Sequence, residues 1–144
     1  MFLPGLIFVF FFGLIWGSFL NVCIYRIPRR IFPGKKRSFC PECGEKIPFY
    51  YNIPVLSYLI LLGKSACCRN RISLIYPVVE VLTGTLLTLL FWRLKLNLFE
   101  FEQISVNDFV RLTHGFLFIS IMIICSFIDF NFMIIPDRIS FPAI

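Results

Sequence analysis

The chain has 144 residues, of which 58% are hydrophobic and only 15% are charged, and its formal net charge is +6. An average soluble domain has about 25% charged residues, and one core of this size could not bury so much apolar surface, so the composition excludes an ordinary soluble protein. The hydrophobic residues stand in runs long enough to cross a bilayer, which takes about 20 residues. We therefore expect an all-α integral membrane protein.

Three apolar runs predict transmembrane helices at about 2–25, 74–92 and 109–128. The first run is not predicted to be a cleaved signal peptide. No Lys or Arg precedes it, and the residues that follow offer no small-residue cleavage site. A fourth apolar run begins at Ile139. Because that run is too short to span, we expect the chain to be a truncated product or fragment that holds only the start of a fourth helix.

The loop between the first two predicted spans is strongly basic. Between Arg26 and Arg71 the sequence contains ten Lys or Arg and two acidic residues. The positive-inside rule places such a loop in the cytosol and the N-terminus outside. Nucleic-acid binding is the rival interpretation of a basic patch, but the flanking spans already explain the charge, and contact with anionic lipid headgroups fits better.

The strongest local motif is Cys40-Pro-Glu-Cys43-Gly44. Two thiolates at this spacing can hold one tetrahedral zinc ion, and the glycine permits the tight turn. A second pair is expected about 15–25 residues later, where Cys67 and Cys68 stand side by side. Adjacent side chains tend to point apart, so three thiolates with a water or another ligand stay open as an alternative. A disulfide is disfavoured in the reducing cytosol, and a cysteine pair without metal is the remaining alternative.

Small and polar residues recur on one face of the first predicted span. Gly13, Gly17 and Asn21 are four residues apart and therefore share a helix face. This small-xxx-small pattern predicts the close approach of a second helix. Cys23 and Cys125 lie within predicted spans, and we interpret them as packing residues.

Acidic residues in or beside a membrane span are costly and are therefore functional candidates. Glu80 lies within the second predicted span, Asp129 ends the third, and Asp137 follows Pro136. The alternative for Glu80 is a buried acid paired with another helix, and for Asp129 it is an interfacial acid in water. For Asp137 the alternative is the N-cap of a helix. The sequence contains no HExxH, GxSxG or glycine-rich phosphate loop, so a carboxylate pair is the hydrolytic chemistry that remains.

Four stretches, taken together and in order, resemble the prepilin peptidases, also called type IV leader peptidases. They are Gly17-Ser-Phe-Leu-Asn-Val22 with Arg26-Ile-Pro28, the Cys40–Gly44 motif, Asn52–Tyr58 with Tyr76-Pro-Val-Val-Glu80, and Ile128-Asp129 with Ile135-Pro-Asp137. The resemblance implies a membrane aspartic peptidase of the GxGD type. Such an enzyme cleaves the basic leader of type IV prepilin-like proteins at the cytosolic face, and many members also methylate the new N-terminus with S-adenosylmethionine.

The resemblance also implies roles for individual residues. Asp129 corresponds to the first catalytic aspartate and Asp137 to a supporting acid, while the second catalytic aspartate belongs to a GxGD segment that this sequence does not contain. Cys40, Cys43, Cys67 and Cys68 are the expected zinc ligands, although Ser65 stands where the family usually has its third zinc cysteine. The expected divisions are a transmembrane helix (1–25), a cytosolic zinc-finger-like domain (26–73) and a truncated transmembrane peptidase core (74–144).

Two other functions remain beside the peptidase. One is a non-catalytic membrane zinc module that binds prepilin or pilus-assembly proteins, and the other is a transporter-like fragment in which Glu80 and Asp129 line a polar path. For the peptidase we expect a multi-pass protein of the bacterial inner membrane, with prepilin-like substrates and the lipid bilayer as partners and no nucleic acid. The sequence does not determine the oligomeric state or which prepilin is the substrate.

Overall fold

A computed structural model of the chain describes residues 3–31, 43–46, 53–94 and 105–132. Within these ranges it consists of four helices without a β-strand: α1 (Leu3–Arg26), α2 (Leu56–Ile60), α3 (Ile75–Arg93) and α4 (Val106–Phe132). Three of them, α1, α3 and α4, are long and apolar enough to cross a membrane. The predicted all-α fold with three spans is thus confirmed, and the predicted start of a fourth span lies outside the described residues.

Helix α4 is longer at both ends than the apolar run predicts. It begins three residues before Phe109 because Ser105 starts the helix: its carbonyl accepts from the Asp108 N–H, and its hydroxyl accepts from the Asn107 N–H at 3.4 Å. At the other end the helix continues to Phe132. The sequence predicted that Asp129 directly follows the helix end. The residue instead lies in the last turn of α4.

Helices α1 and α3 pack antiparallel with their backbones in contact. A Cβ added to Gly13 would lie 2.6 Å from the Cα of Gly84, and one added to Gly17 would lie 2.7 Å from the Cα of Glu80. One step further along the same face, the Asn21 side-chain amide donates to a backbone carbonyl in the first turn of α3 at 3.0 Å. The predicted small-residue face is therefore the contact surface between these two helices.

Helix α4 completes the bundle against both partners. Its buried side chains Ile123 and Ile128 join Leu20, Ile24 and Val79 in one apolar core. Because Leu20 and Ile24 lie near the end of α1, this contact brings the C-terminal end of α4 to the ends of α1 and α3 that adjoin residues 27–74. We call this end of the bundle the loop side.

A polar contact adds to the packing of α4 nearer its middle. The indole N–H of Trp16 donates to the Ser120 hydroxyl at 3.0 Å, and that hydroxyl in turn donates to the Phe116 carbonyl. Bonds of this kind join transmembrane helices, because neither group finds water in the hydrocarbon region. The outward faces carry large exposed apolar side chains such as Phe8 and Phe118, as a lipid-facing surface requires.

Candidate functional site

Residues 63–72 form a small hairpin that follows α2 on the loop side. The Ile72 N–H donates to the Gly63 carbonyl at 2.7 Å, and the Ser65 N–H donates to the Asn70 carbonyl at 2.8 Å. Gly63 has a φ of 69°, a conformation that glycine adopts without strain. The hairpin therefore carries the second cysteine pair at its tip.

The structure brings three of the predicted metal ligands together. The Sγ atoms of Cys43, Cys67 and Cys68 all lie within 4.8 Å of one another, and the first two are 3.1 Å apart. Thiolates around one tetrahedral zinc lie about 3.8 Å apart, given Zn–S bonds of about 2.3 Å, so small shifts would accommodate the ion. Cys40, the fourth predicted ligand, lies outside the described residues.

Both adjacent cysteines contribute to this cluster, although neighbouring side chains were expected to diverge. The reason is local: the Arg69 N–H donates back to the Ser65 carbonyl at 3.0 Å, which folds the residues between them, including both cysteines, into one tight turn. This tight turn carries both sulfur atoms to the same side. A set of soft thiolates in this arrangement fits zinc better than a hard cation.

Ser65 lies beside the cluster, at the position where the resemblance leads one to expect a cysteine. Its Oγ is 3.0 Å from the Sγ of Cys67. With Cys67 ionised, the hydroxyl would donate a hydrogen bond to the thiolate, which stabilises the anion and orients it. The hydroxyl can thus support a ligand without replacing one.

We predict about one zinc ion per chain at this cluster. Cys43→Ser removes a ligand that touches Cys67, so the purified variant should lose most of its zinc. Cys125→Ser is the matched control, because Cys125 lies on α4 outside the cluster. Elemental analysis of the three purified proteins decides the question. Equal zinc in the parent and in the Cys43 variant, or zinc in neither, would reject the site.

Glu80 connects the loop to the helices. Its side chain is only 7% exposed, and its Oε2 accepts a hydrogen bond from the Val55 N–H at 2.8 Å. The Ser18 hydroxyl of α1 donates to the same carboxyl group. The Glu80 carboxyl group is thus bonded to the loop and to α1, and it makes no hydrogen bond to Asp129. Glu80 therefore holds the start of α2 against the bundle, the arrangement of a buried acid paired with another helix.

Asp129 is exposed in the last turn of α4 on the loop side, next to the buried Ile128. In the part of the chain that the structure describes, its carboxylate has no hydrogen bond or ion pair. Asp137 lies outside the described residues. The described structure therefore positions Asp129, one of the two acids with a predicted catalytic role, and does not pair it with a second carboxylate.

A cavity of about 320 Å³ opens where the three long helices meet on the loop side. Its lining includes Asn21, Tyr25, Arg29, Tyr76 and Asn131. The Arg29 guanidinium lies 3.9 Å from the centre of the Tyr25 ring and donates to the Tyr25 carbonyl at 2.8 Å. The sequence does not predict that Tyr25, Arg29 and Asn131 line a cavity, because nothing in their spacing indicates that the ends of α1, α3 and α4 converge. Asn131 follows Asp129 by two residues, so the end of α4 that carries the acid also borders the cavity.

Fold and site together define a multi-pass membrane protein with a cysteine hairpin on one side of the membrane. Residues 11–94 match the family model described as the bacterial peptidase A24 N-terminal domain. The match covers more than half of the chain, so the chain belongs to this family, and the resemblance seen in the sequence is confirmed. The helices and the family together make it a protein of the bacterial inner membrane.

Several curated relatives bear the name prepilin leader peptidase/N-methyltransferase. The chain is 37% identical to the Vibrio cholerae protein over 138 residues (90% of this chain, 50% of the relative), and 33% identical to the Neisseria gonorrhoeae protein over 156 residues (92% and 50%). It is 35% identical to the Klebsiella pneumoniae protein over 144 residues (94% and 57%). The chain thus spans about half the length of these relatives. No solved structure matches it significantly.

Proposed function

We propose that residues 1–144 form the N-terminal part of a prepilin leader peptidase, in which Asp129 is one half of an aspartic catalytic pair. The observation that carries this proposal is the position of Asp129. It is an exposed carboxylate in the last turn of α4, at the end of the bundle that also carries the cysteine hairpin. The names of the relatives supply the reaction, and their greater length leaves room for a second aspartate.

The chemistry follows from this position. In an aspartic pair one carboxyl group holds a proton while its ionised partner activates water for attack on the scissile peptide. Water can reach Asp129 because it lies at the end of a span. By the positive-inside rule, the basic loop predicts that this end of the bundle lies in the cytosol, where the positively charged leader of a prepilin would remain.

The cysteine hairpin has a structural role in this proposal. A zinc ion at Cys43, Cys67 and Cys68, with Cys40, would fix a loop whose described residues bury no apolar side chain. Transfer of a methyl group from S-adenosylmethionine to the new N-terminus rests on the names of the relatives, and the described residues assign it no site.

A chimera tests the proposed reaction. Residues 1–144 are joined to the second half of the Vibrio cholerae relative and expressed with a prepilin substrate in membranes. We expect the chimera to cleave the leader, seen as a shift in substrate size, and the 144-residue chain alone to leave it intact. Cleavage by the 144-residue chain would contradict the proposal. So would the absence of cleavage by a chimera that is expressed, and that binds zinc, as well as the full-length Vibrio cholerae relative.

The second candidate is a non-catalytic membrane module that binds prepilin or pilus-assembly proteins. It is favoured by one observation: among the described residues, Asp129 is not paired with a second carboxylate. The same expression experiment separates the two functions. A module would retain prepilin on copurification, and the chimera would leave it uncleaved.

A further inference from the structure

The short helix α2 and the turn after it expose a row of large apolar side chains in the otherwise polar loop. Leu56, Leu59 and Ile60 recur at helical spacing, and Leu59 is 61% exposed. Leu62 follows and is 84% exposed, which exceeds the 65% of Phe118 on the outer face of α4. A water-facing loop of a soluble domain does not usually present such a row, so this surface needs an apolar partner.

The depth of α2 indicates what that partner is. Val55, directly before α2, donates its N–H to Glu80, which lies five residues inside α3. Five residues correspond to about 7.5 Å along a helix axis, and the side chain of a helical residue points back toward the helix N-terminus, so the start of α2 lies at the level of the first turns of α3. Around the same level α3 already exposes Val78 and Val81, side chains that a membrane helix presents to lipid.

The charge around α2 points in the same direction. Residues 53–73 contain Lys64, Arg69 and Arg71 and no acidic residue. All three cations are exposed on the hairpin that begins directly after Leu62. An apolar helix face with basic residues beside it is the arrangement of a segment that lies in the interface of an anionic membrane.

We infer that α2 and Leu62 form an in-plane interfacial segment that inserts its apolar face into the lipid leaflet on the loop side. A helix of five residues is too short to be stable alone. Glu80 and the hairpin therefore fix it from both ends, while Ser57 on its buried face packs toward the protein. The cysteine hairpin is thereby held at the membrane surface, and its basic side chains lie among the headgroups.

Photocrosslinking of the full 144-residue chain tests this inference. A diazirine analogue of leucine replaces Leu59 in proteoliposomes of phosphatidylethanolamine and phosphatidylglycerol, and adducts are identified by mass spectrometry. The analogue is nearly isosteric with leucine and the site is exposed, so no packing contact is lost. The same residue at Phe118 is the positive control, and at Lys46, exposed in the loop, the negative one.

We expect Leu59 to form lipid adducts at a yield within about two-fold of position 118 and at least about five-fold above position 46, concentrated near the headgroup end of the acyl chains. Adducts mainly to protein would show that another polypeptide covers α2. A yield equal to that at position 46 would show that α2 faces water. Either result would overturn the inference.

Discussion

Replacing Asp129 with Asn is expected to abolish prepilin processing by the chimera that joins residues 1–144 to a second half. The amide keeps the size of the side chain but can neither hold nor release a proton at this position. General acid–base groups contribute roughly 100-fold to 10,000-fold to the rate, so the loss should be at least about 100-fold. Prepilin processing in membranes, scored by the shift in substrate size against time, measures it.

Two further acids complete the comparison. Asp137→Asn should reduce processing less, because the proposal makes Asp137 a supporting acid. Asp108→Asn is the matched control: Asp108 lies in the first turn of the same helix, at the opposite end of the span, and should leave the rate unchanged. Full activity of the Asp129 variant would show that Asp129 is not catalytic. Equal losses in all three variants would indicate a general defect in folding.

Gly13→Ala is expected to lower the free energy of unfolding of the helix bundle by about 1–3 kcal/mol, the range for overpacked sites. The added Cβ would meet the Cα of Gly84 at 2.6 Å and the Thr83 carbonyl oxygen at 3.3 Å. These are backbone atoms, so α1 and α3 must move apart to admit the methyl group. Unfolding of the detergent-solubilised protein, followed by loss of helical circular dichroism, measures the change.

Gly115→Ala provides the matched control on α4. The added Cβ would lie 2.7 Å from Leu90, but the atom it meets is the end of a flexible side chain, which can rotate away. Both substitutions gain the same helix propensity, about 1 kcal/mol over glycine, so the difference between them isolates the packing term. If the two variants unfold alike, the backbone contact between α1 and α3 does not limit stability.

The sequence predicted much of this fold because the relevant signals are local. The three spans follow from apolar runs of sufficient length, and the contact face of α1 follows from the spacing of Gly13, Gly17 and Asn21. The boundaries were less accurate. Ser105 begins α4 earlier than its apolar run, and the last turn continues past Asp129, because helix ends depend on backbone hydrogen bonds and hydrophobicity does not reveal these.

The candidate site was predictable only in part. Cys43, Cys67 and Cys68 were expected as ligands from their spacing, but the sequence suggested that adjacent thiols would diverge. The tight turn closed by the hydrogen bond from the Arg69 N–H to the Ser65 carbonyl brings them together. The position of Asp129 at the loop-side end of its helix followed from counting charges and spans. Its pairing with a second carboxylate stays a prediction.

By itself, the sequence determined that this is a membrane protein of three long helices with a basic, cysteine-bearing loop. The length, hydropathy and charge of a segment can be determined from that segment alone. Only the tertiary structure decided what distant residues do to one another. It showed that Glu80 binds the Val55 N–H, 25 residues away, and that Asn131 lines the same cavity as Asn21 and Tyr76. Such contacts depend on how helices dock, and docking is set by side-chain shapes from several segments at once, which no single stretch of sequence contains.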